Sequence, residues 1–277
     1  MSTPWNTAPR ADLHTHTALC KHASGTPEEY LASAQEAGLA FWGVSDHFPA
    51  PAGYDAAFRM APDDLPRYFA ILDSLHEAAD GSSLRVLAAA EFDYVPGRMD
   101  EVFAALDPLR PKFDYLIGSV QYVDGFAFDD PDKLAEWPRF GVDAVWDGYL
   151  SDLLAFVELG GFNVLAHSDL PKKFGFRPSD PGNVLRRMTE IYEHAAAKGI
   201  RLELNTAGLR VAADEIYPAP ELLRAAFRAG MKITLGSDAH KPEHIAYAFD
   251  RAAALARAVG WTSHTAFVRG EAVELPL

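Results

Sequence analysis

The 277-residue sequence has a single cysteine, Cys20, so no disulfide can form within the chain, which fits a reducing compartment. No apolar run approaches the length of a membrane span. The N-terminal MSTPWNTAPRADL lacks the apolar core of a secretory leader. These absences predict a soluble, cytoplasmic protein without a membrane partner. Basic residues are in deficit, 25 Lys and Arg against 39 Asp and Glu, for a net charge of −14. Phosphate-backbone binding needs clustered Lys and Arg, so nucleic acid is not expected as a partner. A small phosphorylated substrate remains compatible, because bound cations override the global field locally. No G-x-G-x-x-G follows the first strand-like run, which argues against a dinucleotide-binding sheet. No low-complexity linker or composition shift divides the chain, so residues 1–277 are read as one domain, compatible with a monomer or a dimer.

What is present is alternation. Strand-like runs at residues 11–16, 41–45, 85–91, 115–120, 164–166, 201–205 and 232–235 are separated by amphipathic helical stretches. Thr26-Pro27 followed by Glu28 and Glu29 is a helix start, and Gly38, Gly160, Gly199 and Gly230 are helix stops. The stretch PEHIAYAFDRAAALARAVG reads as a last helix, and HTAFVRG as a short end piece. Seven strand–helix units predict a parallel α/β barrel rather than an open sheet. Two long connections, residues 48–61 and 122–141, are rich in Pro, Gly and aromatics, as substrate-facing loops often are.

The chemically reactive residues fall at the C-terminal ends of these strands: His14, His16, Asp46, His47, Glu91, Asp93, His167, Asp169, Asn205, Asp238 and His240. In a barrel these ends form one face, where barrel enzymes keep their active sites. His14 and His16 stand two apart in a strand and share a side, so both imidazoles can reach one ion; His22 lies in the loop beyond. His, Asp and Glu together suit zinc, manganese or iron. One histidine alone is more often a hydrogen-bonded structural residue, but six at one end of successive strands are not explained that way. Glu91 follows the apolar VLAAA and needs a partner, either a metal or an arginine such as Arg85 or Arg98. Cys20 can serve as a soft ligand, although a small apolar role is the commoner one.

The ordered set HTHT, SDH, EFDY, AHSD and GSDAH resembles the polymerase and histidinol phosphatase (PHP) family, with AAEFDYVPG, DYLIGSV and ELNTAGLR closest to its histidinol-phosphatase branch. The resemblance runs over nearly the whole chain. It implies a distorted seven-stranded TIM-like (βα)7 barrel and a centre of two or three divalent ions (Zn, Mn or Fe). It also implies hydrolysis of L-histidinol phosphate in histidine biosynthesis, or of another small phosphate ester such as a nucleotide. Carried over, His14, His16, Glu91 and Asp238 hold a first ion; Glu91 bridges to a second with His167; His22, His47 and His240 hold a third. The family usually has a histidine where this chain has Gln121, in GSVQY, and the weaker amide ligand there puts the occupancy of the second site in question.

Phosphate ester hydrolysis needs an activated water, charge neutralisation and help for the leaving alkoxide, all of which close metal ions assist. His47 and His240 take part as ligands. Asp169 is a candidate proton donor to the leaving oxygen, or else a partner that orients a histidine. Arg210 is a candidate phosphate clamp, with Lys173 and Arg59 as further contacts; Lys172 and Arg177 are weaker candidates. DGFAFDDPD, residues 124–132, is expected to offer acidic or aromatic contacts to the ammonium and imidazole of the substrate. An amidohydrolase also carries HxH on its first strand but wants a lysine ligand, which the fourth strand does not offer. A non-catalytic metal-binding module is disfavoured by the completeness of the ligand set.

Overall fold

Strand–helix alternation builds a barrel in the computed structural model, which describes residues 10–277; most of the N-terminal stretch read above as leaderless lies outside them. The strands are β1 (Ala11–Asp12), β2 (Phe41–Val44), β3 (Arg85–Asp93), β4 (Tyr115–Ser119), a small hairpin of β5 (Tyr122–Val123) and β6 (Phe126–Ala127), then β7 (Val164–Leu165), β8 (Arg201–Asn205) and β9 (Ile233–Gly236). Seven of them form one parallel sheet in the order β1-β2-β3-β4-β7-β8-β9. The sheet curls onto itself: the Leu13 amide donates to the Leu235 carbonyl at 3.0 Å, and Thr15 bridges Ala239.

Helices α1 (Pro27–Glu36), α2 (Leu65–Ala79), α3 (Met99–Leu106), α4 (Trp137–Phe140), α5 (Val142–Leu159), α6 (Pro181–Ala197), α7 (Pro220–Arg228) and α8 (Phe249–Val259) accompany the strands. The predicted start of α1 is a full capping box: Thr26 Oγ1 accepts from the Glu29 amide, and the Glu29 carboxylate accepts from the Thr26 amide. Helix α2 buries Tyr68, Leu72, Leu75 and Ala79, one helical stripe, against the sheet. Each large apolar side chain so buried contributes about 1.5–3 kcal/mol. Among the described residues no helix is long and apolar enough to cross a membrane.

The barrel interior holds small and branched residues, Ala11, Leu13, Leu87, Ala89, Ile117, Val164 and Ala166, with Tyr115. Gly43 makes room for that tyrosine. A β-carbon there would sit 1.7 Å from the phenol oxygen, which donates instead to the Leu13 carbonyl.

Three sequence expectations change. The end piece HTAFVRG belongs to an antiparallel hairpin, β10 (Ser263–Val268) with β11 (Glu271–Pro276), whose Ala266, Phe267 and Leu275 plug the interior. The last helix starts only at Phe249, because residues 242–244 form a tight 3-10 turn and Ala246 and Ala248 adopt positive φ. The first ladder covers only Ala11–Asp12, since beyond it the backbone bonds alternately to β9 and to Ser45.

Candidate metal centre

The predicted donors converge around Glu91, which is fully buried at the end of β3. Its two oxygens face different groups. Oε2 lies 3.2 Å from His14 Nε2, 3.0 Å from His47 Nδ1 and 3.8 Å from His16 Nε2. Oε1 lies 3.2 Å from His167 Nε2 and 3.3 Å from the Gln121 amide nitrogen. Asp238 adds Oδ1 at 3.1 Å from His16 Nε2 and 3.8 Å from His14 Nε2. At the rim the rings of His22, His47 and His240 gather, with centroids 4.5 Å apart for His22 and His240 and 5.4 Å for His22 and His47. The ligand atoms of that trio, of His14, His16 and Glu91, and of His14, His167 and Asp238 each lie close enough together to hold one ion.

The donor chemistry fits divalent cations. His16 approaches Asp46 at 3.4 Å and Asp238 at 3.1 Å, and His47 approaches Glu91, yet none of these contacts has the alignment of a hydrogen bond. His240 Nε2 is buried with no hydrogen-bond partner. Donor atoms packed this closely without aligned hydrogen bonds between them suit a cation. Burial opposes charge on Glu91, but His47 and His14 overcome it and hold the carboxyl well below its ordinary range. Asp238 is treated likewise by His14 and His16. In turn the carboxylates outweigh burial at His16 and lift it to about 9. At the rim no carboxylate compensates enough: burial of the ring and the neighbouring His47 and His16 push His22 to about 4, and burial with His16 also lowers His240. These two rings are neutral at pH 7, the form that ligates metal. Cys20 lies within reach of His16 and His240, but burial raises its pKa and keeps the thiol protonated.

His167 and Asp238 have positive φ, 22° and 52°, a conformation that costs roughly 1–3 kcal/mol in a non-glycine residue. Both sit where a strand ends and the donor must turn into the mouth. His14 is locked from behind: its Nδ1 lies 2.7 Å from Glu203 Oε1, while Glu203 Oε2 accepts from the His167 amide and from Asn205 Nδ2, both at 3.0 Å. Glu203 is the residue that sequence reasoning missed. A buried glutamate between two leucines of RLELN, sharing the inward side of β8 with Asn205, was the available signal.

A cavity of about 470 Å³ opens over the cluster, lined by His22, His47, Glu91, His167, Asp238 and His240 on one side. Arg210, Lys173, Phe58, Phe174, Asp129 and Asp130 face them. Arg210 donates through Nη2 to the Ser237 and Asp238 carbonyls at 2.8 and 3.1 Å, which leaves Nη1 buried with no partner. Lys173 holds the Asp129 carbonyl at 2.8 Å and its carboxylate at 3.2 Å. The segment expected to read the substrate reaches the cavity through Ala127 and residues 129–131.

Other candidates lie elsewhere. Arg59 is buried behind the cavity wall, its Nη2 2.6 Å from both Asp55 and Asp93. Asp169 is also off the wall, paired with Lys172 at 2.8 Å and accepting from the Ala219 amide at 2.8 Å. Burial raises its pKa against the pull of Lys172. Lys172 is consumed by Asp169, Glu215 and the Ile216 carbonyl, and Arg177 pairs with Glu215.

Barrel and donors together define an α/β barrel whose C-terminal mouth gathers residues able to hold a metal. Residues 12–207 match the family described as "PHP domain", and the chain belongs to that family. It is 38% identical over 252 residues to "Probable histidinol-phosphatase" of Deinococcus radiodurans, covering 90% of this chain and 93% of the relative. It is 26% identical to "Histidinol-phosphatase" of Bacillus subtilis, covering 87% and 97%. Among solved structures, histidinol phosphate phosphatase from Lactococcus lactis, complexed with zinc, L-histidinol and phosphate, superposes with a TM-score of 0.78 at 21% identity. That match covers 95% of this chain and 98% of the other.

Proposed function

We propose that this protein is a metal-dependent phosphomonoesterase that hydrolyses L-histidinol phosphate to L-histidinol and phosphate in histidine biosynthesis. The observation that carries the reading is Arg210, which lines the same cavity as the donor cluster and keeps a buried Nη1 without a hydrogen-bond partner. A guanidinium anchored by one nitrogen and unpaired at another suits a phosphate dianion. The named relatives support the choice of substrate.

In this reading His14, His16, Glu91 and Asp238 would hold one divalent ion, Glu91 and His167 would contribute to a second, and His22, His47 and His240 would hold a third. Zinc, manganese and iron all suit these ligands. Bound ions supply Lewis acidity and an acidified water. The chain's own groups do the rest. Glu203 fixes the His14 ring so that Nε2, not Nδ1, faces the centre. Arg210 orients the phosphate. Asp129 and Asp130 offer carboxylates to the ammonium group, and Phe58 and Phe174 offer flat apolar faces to the imidazole. Lys173, tied to Asp129, holds that wall in place. Asp169 anchors the loop after β7 through Lys172 and acts at a distance from the leaving oxygen. The free thiol of Cys20 is consistent with a cytoplasmic site of action.

Turnover of L-histidinol phosphate against a panel of phosphomonoesters, after loading with zinc or manganese, tests the reading. We expect kcat/KM for L-histidinol phosphate to exceed that for nucleoside monophosphates by at least about a hundredfold. A higher value for a nucleotide would refute the substrate and spare the reaction class.

A further inference from the structure

Two neighbours of fixed and opposite hydrogen-bonding character decide how the Gln121 amide lies. On one side is the Arg59 guanidinium, which can only donate; its Nη2 lies 3.4 Å from the Gln121 oxygen. On the other is the Glu91 carboxylate; its Oε1 accepts from the Gln121 nitrogen at 3.3 Å. Turning the amide over would set N–H against N–H at Arg59. Nor can Arg59 swing aside, because it is buried and held at 2.6 Å by both Asp55 and Asp93. Asp93 is fixed in turn by the Ser119 hydroxyl at 2.8 Å. The amide oxygen is therefore turned to the guanidinium. What faces the donor cluster is an amide nitrogen, whose lone pair is delocalised into the carbonyl and does not ligate metal.

We propose that Gln121 is a positioning residue for Glu91 and not a metal ligand. The inference rests on the metal-centre reading above. It makes the two sides of Glu91 unequal: His14 and His47 flank Oε2, whereas on the Oε1 side His167 stands with an N–H donor in place of a second ligand. One Oε1 lone pair is engaged by that N–H, so an ion on this side has fewer protein donors. Arg59, Gln121 and Glu91 thus form a relay that orients the bridging carboxylate from behind.

The test counts ions on the full-length chain, stripped with chelator, reloaded with excess manganese or zinc, desalted, and measured by elemental analysis without substrate. The Gln121→Leu variant should hold as many ions per chain as the wild type, with affinity about tenfold weaker, as for loss of an outer hydrogen bond. The Gln121→His variant, which adds an imidazole on the Oε1 side, should hold the same number, with affinity about tenfold tighter by chelator competition. A Gln121→Leu protein with one ion fewer overturns the proposal, as does a Gln121→His protein that holds its ions no more tightly than the wild type. Circular dichroism monitors folding, and Gln121→Met replaces the leucine variant if that variant melts early. Failure of the phosphatase reading shows separately, as a fully loaded wild type that leaves L-histidinol phosphate intact.

Discussion

The two ends of the barrel are closed by opposite chemistries. At the N-terminal end the β10–β11 hairpin fills the interior with Ala266, Phe267 and Leu275, packed on Ala11, Leu13 and Tyr115. At the C-terminal end the same strands finish in buried imidazoles and carboxylates that repel, attract and strain one another, with His167 and Asp238 at positive φ. Hydrocarbon burial stabilises the first end without help. The second end is over-supplied with lone pairs, and a cation is the partner that satisfies them. Stability and chemistry are thus separated along one axis, which makes the two ends separately breakable.

The largest loss is expected at the mouth. Asp238→Asn removes a charge shared between His14 and His16 and should cost several kcal/mol of transition-state stabilisation, about a thousandfold or more in kcat/KM. Its circular dichroism spectrum should stay native; a collapsed spectrum would show that the mouth also carries the fold. At the opposite end Phe267→Ala should cost about 3–5 kcal/mol in denaturant unfolding, with the ion count unchanged. A changed ion count would break the separation. Arg210→Ala should lower kcat/KM by about 10²–10³ and abolish inhibition by inorganic phosphate, which steady-state kinetics reads directly. Glu203→Gln should weaken metal affinity about 10–100-fold, measured by chelator competition, with little change in melting of the metal-free protein.

The smallest effect is a pH response at the hydrocarbon end. Burial lowers His264, on β10, to about 4. The unfolded chain takes up that proton below about 6.5, whereas the folded chain resists until about 4. The contribution is therefore complete above pH 6.5 and declines as the pH falls through that window. Urea unfolding between pH 7 and 4 should show this decline in the metal-free wild type and a shallower one in His264→Gln; equal slopes would refute the assignment.

Much of this was legible beforehand, for identifiable reasons. Strand β8 matches its predicted span, because RLELN is bounded by a helix-ending Gly199 and a turn-forming Asn205. The donors were legible because strand ends gather on one face whatever the barrel's details. The final hairpin was not, since residues 263–276 lie beyond the repeating units and their turn, Arg269-Gly270, places an unusual arginine at positive φ. Arg59 was read as a phosphate contact because nothing local shows that Asp55, four residues away, and Asp93, from another strand, enclose it. Glu203 escaped notice because one acid in a short strand reads as solvent-facing unless its partner, 189 positions away, is known.

Gly43 and Tyr115 carry a consequence for how such sequences diverge. With no β-carbon on β2, the phenol of β4 reaches across to β1, and a methyl there would lie within 1.7 Å of its oxygen. Three residues after Gly43 come Asp46 and then His47, which face His16 and Glu91. A larger residue at position 43 would thus displace either the tyrosine or the strand that sets the height of two groups at the mouth. Across descendants of this chain the two positions should drift as a pair, glycine with tyrosine or a bulkier residue with a smaller partner, and the mixed pairing should be rare.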